Sequence, residues 1–299
     1  MTDTDAIEIA GVRISHASRV VFPDSGLTKG DVAQWYARAA GRLLAYAAER
    51  PASLVRCPDG IAGKCFFQKH AGQLPPEIDT VRLAEKDGTQ ADYIVINDIK
   101  GLVAAAQMGM IELHIWGARR DRLERPDRMV LDLDPDTSVG FAEVRRAARD
   151  IRQVLDAAGL ASFAMLTGGK GIHVVVPLDR RQGWDALSTV ARGVARRLEA
   201  AEPDRFVASA PKEKRRNRIF IDWLRNTRGA TSVVPFSVRA RKGAPVAVPV
   251  AWEELDDIGA ANAFHIGNAA GRLALDPWSG AEGLRQSLTQ SVVDMFGKF

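Results

Sequence analysis

The stretch RMVLDLDPDTS, residues 128–138, decides the central part of the fold. Its apolar start predicts a buried strand, and carboxylates follow at alternate positions, Asp132, Asp134 and Asp136. Side chains alternate between the two faces of a strand, so Asp132 and Asp134 project from the same side. Two carboxylates held close together on a half-buried surface repel each other, and a divalent cation removes this conflict. The stretch therefore predicts a strand that delivers two ligands to a metal ion.

Three other interpretations of these carboxylates stay open. An EF-hand calcium loop also begins with alternate aspartates and has Glu143 at the right distance, but Thr137 stands where that loop needs glycine. Aspartate-nucleophile phosphatases begin with a strand that ends in alternate aspartates, but Asp136 stands where their pattern needs threonine or valine. An acidic turn without any ligand is the simplest alternative.

The stretch TGGKGIHVVV, residues 167–176, is the second constellation. Glycines in a hairpin turn expose backbone N–H groups that bind anions, and Thr167, Lys170 and His173 add side-chain donors. A P-loop or a dinucleotide-binding fingerprint does not fit, because a strand rather than a helix follows the glycines. The stretch indicates a phosphate-binding hairpin, and a buried histidine with satisfied hydrogen bonds is the alternative for His173.

The stretch RIFIDWLRN, residues 218–226, places Asp222 in a strongly apolar strand. A lone carboxylate is costly to bury unless it is paired or binds a metal. Asp222 is therefore a candidate third ligand of a two-metal site, and a salt bridge to a nearby arginine is the alternative.

Positive charge is concentrated in one part of the chain. From Arg205 to Lys242 there are eleven lysines and arginines against Glu213 and Asp222, a local net charge of +9 in a chain of net charge +4, so the remainder is acidic. This asymmetry predicts a surface that contacts phosphates, and a solvated basic loop is the alternative.

The segments predict a mixed fold. Helices are expected over 28–49, with Thr28 as the cap, over 141–158, ended by Gly159, and over 183–200. Strand-like runs and the hairpin lie between them without a regular βαβ rhythm, which favours an α+β fold with antiparallel or mixed sheets flanked by helices.

The chain has no apolar run long enough to cross a membrane and no apolar leader at its start, so a cytoplasmic protein without a membrane partner is expected. Cys57 and Cys65 are the only cysteines, which predicts neither a disulfide framework nor, with only His70 nearby, a zinc site.

Taken together, LDLDPD, TGGKGIHVVVPL and RIFIDWLRN resemble, in order and spacing, the three motifs of the archaeo-eukaryotic primase superfamily. Within it, the chain is most similar to the polymerase domain of bacterial ligase D. The flanking stretches HASRVVFPDSGLTKGDVAQWY, CFFQKH and ATSVVPFSVRARKGAPVAVPVAWEEL extend the resemblance over nearly the whole chain. It implies one primase-polymerase domain over residues 1–299.

The resemblance implies a role for each matching residue. Two metal ions, Mn²⁺ or Mg²⁺, would be held by Asp132, Asp134 and Asp222. The triphosphate of the incoming nucleotide would be bound by Thr167, where the family usually has serine, and by Lys170, His173 and Arg239. Residues beside the metals or the nucleotide would be Arg225, His114 and, stacked on a base, Phe66 and Phe67. A 5′-phosphate of the DNA would be bound by His16, Arg19 and Lys29.

The implied activity is that of a template-directed nucleotidyltransferase. It would fill gaps and extend ends during double-strand break repair by nonhomologous end joining, would favour ribonucleotides, and is a candidate primase. Its partners would be DNA with gaps or broken ends, NTPs and dNTPs, the Ku protein and a DNA ligase, in the bacterial cytoplasm at the nucleoid. The alternatives are a noncatalytic module that binds and bridges DNA ends, and a metal-dependent phosphatase.

Overall fold

A computed structural model describes residues 5–85, 87–281 and 283–299. The chain divides into two compact units. The first unit runs to Asp121 and also contains 233–247 and 264–274, and the second contains 122–232, 248–263 and 275–299. A single domain over residues 1–299 stays a prediction. None of the helices in the described ranges has both the length and the apolar composition that crossing a membrane requires.

In chain order, the described helices and strands are β1 (Ile7–Ile9), β2 (Val12–Ile14), β3 (Val20–Phe22), β4 (Leu27–Thr28), α1 (Lys29–Ala47), β5 (Pro51–Arg56), β6 (Phe66–Gln68), β7 (Asp79–Ala84), β8 (Gln90–Val95), α2 (Ile99–Gln107), β9 (Met110–Trp116), β10 (Arg128–Pro135), α3 (Phe141–Asp156), β11 (Phe163–Leu166), β12 (Ile172–Pro177), α4 (Trp184–Ala201), β13 (Phe206–Val207), β14 (Ile219–Asp222), β15 (Thr231–Val233), β16 (Val248–Val250) and α5 (Gln290–Gly297).

The first unit is built on a sheet with the strand order β15-β9-β5-β8-β7, and β6 pairs with β5. The chain returns to this unit through β15, whose last residue belongs to it. Helices α1 and α2 pack against each other. Helix α1 begins with a capping box, because Thr28 accepts from the Asp31 N–H while the Asp31 carboxylate accepts from the Thr28 N–H. This confirms the predicted cap.

The second unit is built on a sheet with the order β13-β14-β10-β12-β11-β16. The β13–β14 pair is parallel, and the other pairs are antiparallel. Helices α3 and α4 both contact β10, and Leu131 and Leu133 of that strand are fully buried. Alternation along β10 therefore places its apolar side chains in the core and its aspartates on the opposite face. The expected α+β fold is confirmed.

The two cysteines form one local disulfide, which the sequence did not predict. Cys57 and Cys65 are joined by a disulfide that closes the loop between β5 and β6. Their Cα atoms lie 4.3 Å apart, because the chain folds back from β5 to the paired strand β6. Two cysteines do not form a framework over a whole fold, but local chain reversal is enough to bring one pair together.

Gly193 sets how closely the last helix packs. A Cβ atom at Gly193 of α4 would lie 2.3 Å from the Phe296 carbonyl oxygen of α5. The backbone of α5 would have to move away from this side chain. We therefore expect Gly193→Ala to lower the free energy of unfolding by about 1–3 kcal/mol, even though alanine has the higher helix propensity. Urea unfolding monitored by circular dichroism measures this change.

Gly41→Ala is the matched control, because Gly41 is also inside a helix but a Cβ there meets nothing within 4 Å. That variant should be more stable by roughly 0.5–1 kcal/mol. Equal stabilisation of both variants would contradict the close contact between α4 and α5.

Candidate active site

Three neighbouring strands of the second unit carry a row of polar side chains. In the β10–β14 register Asp132 lies opposite Asp222, and in the β10–β12 register Asp132 lies opposite His173. His173 Nε2 is 3.5 Å from Asp132 Oδ1. Arg225 Nε is 3.4 Å from Asp132 Oδ2 and 3.1 Å from Asp222 Oδ2. The three sequence motifs therefore meet at one place on one face of the sheet.

Asp134 lies two residues farther along β10 than Asp132 and is paired with a different arginine. Arg215 Nη1 donates to Asp134 Oδ2 at 2.8 Å, and the Arg215 guanidinium stacks on Phe220 at 4.0 Å. Phe220 lies opposite Asp134 in the sheet, so the stacked arginine is directed at this carboxylate. Sequence reasoning did not single out Arg215, although it lies in the basic segment next to the third motif.

Two of the carboxyl groups have raised pKa values. Burial and the nearby Asp132 charge raise the pKa of Asp134 despite Arg215. Burial is also the main cause that raises the pKa of Asp222, with Arg225 opposing it and Asp132 adding to it. Burial therefore disfavours the charged form of both carboxyl groups, even with arginines beside them.

The donor set fits a hard divalent cation. Carboxylate oxygens are the ligands that Mg²⁺ prefers, and a bound cation would favour the ionised form of these buried carboxyl groups. Across the ranges that the structure describes, no three His, Cys, Asp or Glu side chains already surround a common point as metal ligands. Arg215 and Arg225 lie against the carboxylates instead.

The glycine stretch forms the turn of the β11–β12 hairpin, as predicted. The Thr167 hydroxyl donates to the Gly171 carbonyl at 2.9 Å and accepts from the Gly169 N–H at 3.2 Å, so it organises the turn itself. Lys170 and Asp136 line a cavity of about 370 Å³ beside this turn. Lys170 is close enough to lower the pKa of Asp134.

Asp136 does not belong to the row. Its side chain accepts from the Asn217 N–H at 3.0 Å and from the Ser138 hydroxyl at 2.8 Å. The Asn217 hydrogen bond is the main cause that lowers the pKa of this exposed carboxyl. The third alternate carboxylate of the opening stretch therefore closes a turn.

A buried asparagine that sequence reasoning missed holds the third motif against β10. Asn226 Oδ1 accepts from the Val130 N–H at 2.7 Å, and Asn226 Nδ2 donates to the Val130 carbonyl at 2.7 Å. The Asn226 amide thus makes the two backbone hydrogen bonds that a neighbouring strand would make with Val130. It thereby fixes the segment that carries Arg225. Only the position of this asparagine directly after Arg225 in the third motif could have indicated it.

The first unit holds a second group of predicted residues. His114 Nε2 lies 2.8 Å from Glu112 Oε2, and Arg239 Nε lies 3.0 Å from the same oxygen. The ring of Phe67 meets His114 edge to face, with centroids 5.5 Å apart. The Arg56 guanidinium carbon lies over the Phe66 ring, 5.5 Å from the ring centroid. Both phenylalanines are exposed. Sequence reasoning missed Glu112, which alternates with His114 on β9.

Glu112 gives the first unit a pH-dependent stability. Burial raises its pKa, but the His114 hydrogen bond and the Arg239 charge outweigh burial and bring the pKa to about 2, against an ordinary value of 4.5. A carboxyl with a lowered pKa stabilises the fold above its unfolded pKa. This contribution, on the order of 3 kcal/mol, is lost as the pH falls from about 4.5 to about 2.

Urea unfolding between pH 5.5 and pH 3 tests this expectation, with Glu112→Gln as the comparison. The free energy of unfolding of the wild type should fall more steeply with pH than that of the variant, which cannot titrate at this position. Parallel curves would show that Glu112 does not have the lowered pKa.

A third group lies at the start of the first unit. Arg19 and Lys29 line one cavity of about 100 Å³ together with Cys57 and Pro58. Arg19 donates to the Pro58 carbonyl at 3.1 Å, and Lys29 donates to the Ser15 carbonyl at 3.0 Å. His16 is not among the residues that line this cavity. Its carbonyl accepts from the Arg19 N–H, so it shapes the turn that carries Arg19.

Much of the basic segment between Arg205 and Lys242 is paired inside its own unit. Five of its arginines contact acids: Arg205, Arg215, Arg225, Arg228 and Arg239. Arg225 is also exposed, and the other exposed cations of the segment are Lys212, Lys214, Arg216, Arg241 and Lys242. A phosphate-contacting surface stays a prediction for these exposed residues alone.

Comparisons with known proteins agree with this arrangement. A sequence model of the family described as LigD, primase-polymerase domain, matches residues 28–278. The chain is 43% identical over 294 residues to the multifunctional non-homologous end joining protein LigD of Pseudomonas aeruginosa, covering 97% of this chain and 35% of the relative. It is 34% identical over 255 residues to the corresponding LigD protein of Mycobacterium tuberculosis, covering 82% of this chain and 34% of that protein.

The solved polymerase domain of Mycobacterium tuberculosis ligase D, in complex with DNA, has a similar fold. The TM-score is 0.83 at 30% sequence identity, and the match covers 91% of this chain and 97% of that one. The chain spans about a third of the length of the curated relatives it matches.

Proposed function

Because the chain belongs to the family of LigD primase-polymerase domains, we propose that it is a template-directed nucleotidyltransferase that fills gaps and extends the ends of broken DNA. Members of this family are metal-dependent nucleotidyltransferases, and the relatives named above are non-homologous end joining proteins. The observation that supports the proposal best is the row of His173, Asp132 and Asp222 across three strands, with Asp134 two residues farther along β10.

In nucleotidyl transfer, a primer hydroxyl attacks the phosphate next to the nucleoside, and the protein mainly positions groups and neutralises charge. Asp132, Asp134 and Asp222 would hold two ions, Mg²⁺ or Mn²⁺, which when bound activate the attacking oxygen and stabilise the leaving one. Lys170 and His173 would neutralise the triphosphate. Phe66 and Phe67, being exposed rings, suit stacking on any base.

The finer parts of the proposal follow from the resemblance. They are the preference for ribonucleotides, priming, the nucleotide-binding roles of His114 and Arg239, cooperation with Ku and a DNA ligase, and a location at the nucleoid of the cytoplasm. The region that matches this chain makes up about a third of the length of these relatives.

Primer extension on a short gapped DNA tests the proposed function. The reaction contains Mn²⁺ or Mg²⁺ and one ribonucleotide or deoxyribonucleotide at a time, and the template base opposite the gap is varied. Addition that follows the template supports the proposal. Binding of DNA without addition under either metal would indicate the end-bridging module, and release of phosphate from a phosphomonoester would indicate the phosphatase.

The cavity with Arg19 and Lys29 predicts dependence on a 5′-phosphate at the far side of the gap. We expect Arg19→Gln or Lys29→Gln to weaken the binding of gapped DNA that carries this phosphate by about tenfold each, since each loses a charged contact worth roughly 1.5 kcal/mol. Fluorescence anisotropy with phosphorylated and unphosphorylated DNA measures the effect. Lys298→Gln is the control, because it removes the same charge from the exposed end of the chain.

Only the affinity for phosphorylated DNA should fall in the two pocket variants, and unphosphorylated DNA should bind all variants alike. A loss that is equal with both DNAs would assign Arg19 and Lys29 to general contact with the backbone of DNA.

A further inference from the structure

Glu112 is a buried carboxylate to which the proposed mechanism gives no part. It lies in the middle of β9, and its side chain is 8% exposed. A glutamate this buried is costly unless its charge is paired and its oxygens accept hydrogen bonds. The groups that pair with Glu112 therefore explain why a glutamate is tolerated at this buried position.

Both oxygens of Glu112 are occupied. Oε2 accepts from His114 Nε2 and lies 3.0 Å from Arg239 Nε, and Oε1 accepts from the Ala240 N–H at 2.8 Å. An ionised carboxylate only accepts hydrogen bonds, so Nε2 is the nitrogen that carries the proton toward it. One acid thus orients the His114 ring through a hydrogen bond and holds the Arg239 guanidinium beside it as an ion pair.

The segment that carries Arg239 is fixed on β9 by further contacts. The Leu113 N–H donates to the Ser237 hydroxyl at 2.9 Å, and the Tyr36 hydroxyl donates to the Ile111 carbonyl at 2.6 Å. The Val238 N–H donates to the Tyr36 hydroxyl at 3.2 Å. These contacts hold the backbone, and the Glu112 carboxylate then orients the two side chains.

We propose that Glu112 is a positioning residue for nucleotide binding, which acts by holding the His114 ring and the Arg239 guanidinium in one fixed arrangement. The inference rests on the proposed function, in which His114 and Arg239 contact the incoming nucleotide. It differs from a purely structural ion pair, because the expected cost of losing it lies in the affinity for nucleotide. Phe67 contacts the His114 ring edge to face, so its ring packs against a residue that Glu112 orients.

Glu112→Gln is the first test variant, since it keeps the shape and an acceptor but loses the charge. We expect the KM for a ribonucleoside triphosphate to rise about 10- to 100-fold, the range found when a residue that orients metal-binding side chains is lost. The kcat should change far less, because no reacting atom is touched. Glu112→Asp keeps the charge but cannot reach both partners, so it carries the test if the glutamine variant does not fold.

Glu49→Gln is the matched control. Glu49 also belongs to the first unit and also holds an arginine, with Oε2 at 2.6 Å from Arg120 Nε and Oε1 at 2.8 Å from Nη2. Both variants should melt at a lower temperature than the wild type. Only the Glu112 variants should raise KM.

Nitrogen NMR of histidine rings gives a readout that does not need activity. The chain has five histidines, and a His114→Ala spectrum identifies the His114 signals. Loss of the fixed Nε2-protonated form in Glu112→Gln, with a raised KM, supports the inference. Unchanged ring signals, or a KM that moves no more than in Glu49→Gln while the wild type is active, would overturn the inference alone. A wild type that neither binds nor incorporates a nucleotide would overturn the proposed function and this inference together.

Discussion

Asp132→Asn is expected to reduce templated nucleotide addition by on the order of 10³-fold or more, while the binding of gapped DNA stays within about twofold. Asp132 stands at the centre of the row, opposite both His173 and Asp222. Asparagine keeps the size of the side chain but removes the charge and the ionised oxygen that a metal needs. The negative charge on the reacting phosphate in the transition state would therefore be less well stabilised.

Single-turnover primer extension at saturating nucleotide measures this loss, and anisotropy measures DNA binding. Asp136→Asn is the matched control, because Asp136 belongs to the same stretch but accepts hydrogen bonds from Asn217 and Ser138 outside the row. Its rate should stay within about threefold of the wild type, since asparagine still accepts these bonds. An Asp132→Asn enzyme that extends primers at the wild-type rate would remove Asp132 from the proposed metal site.

Gly171→Ala is expected to reduce activity by at least about 10²-fold and the free energy of unfolding by about 3 kcal/mol. A Cβ atom at Gly171 would lie 1.8 Å from the Leu133 carbonyl oxygen, a distance that no side-chain rotation can relieve. Leu133 stands between Asp132 and Asp134, so the clash must push the start of β12 away from β10. His173 would then leave its place opposite Asp132.

Gly259→Ala controls for the change of glycine to alanine, because a Cβ atom at this position in the same unit meets nothing within 4 Å. It should have wild-type activity and a midpoint of unfolding close to that of the wild type. A Gly171→Ala variant with the activity and stability of Gly259→Ala would show that the backbones do not approach each other this closely.

The sequence predicted that Gly171 lies in a turn but not why this position requires glycine. The glycine stretch predicted a hairpin turn, and the hairpin is confirmed. The reason for glycine at this position is different from the expected one, because it is the neighbouring strand β10 that leaves no room for a side chain. The Thr167 hydroxyl closes this turn, which the sequence did not indicate, and its contact with a triphosphate stays a prediction.

Local patterns determined what the sequence alone could predict. Alternation along a strand put Asp132 and Asp134 on one face, Thr28 was predicted to cap one helix, and Gly159 predicted the end of another. Each of these features depends on residues within a few positions of one another, and backbone geometry alone relates them.

The tertiary structure decided the partners. Which residue of a distant strand lies opposite Asp132, which arginine reaches Asp134, and which acid holds both His114 and Arg239 depend on strand register and packing between segments far apart in the chain. The Cys57–Cys65 disulfide and the division of the chain into two units are of the same kind. A charged side chain in a sequence can pair with any opposite charge, and only the folded backbone limits that choice to the partners within its reach.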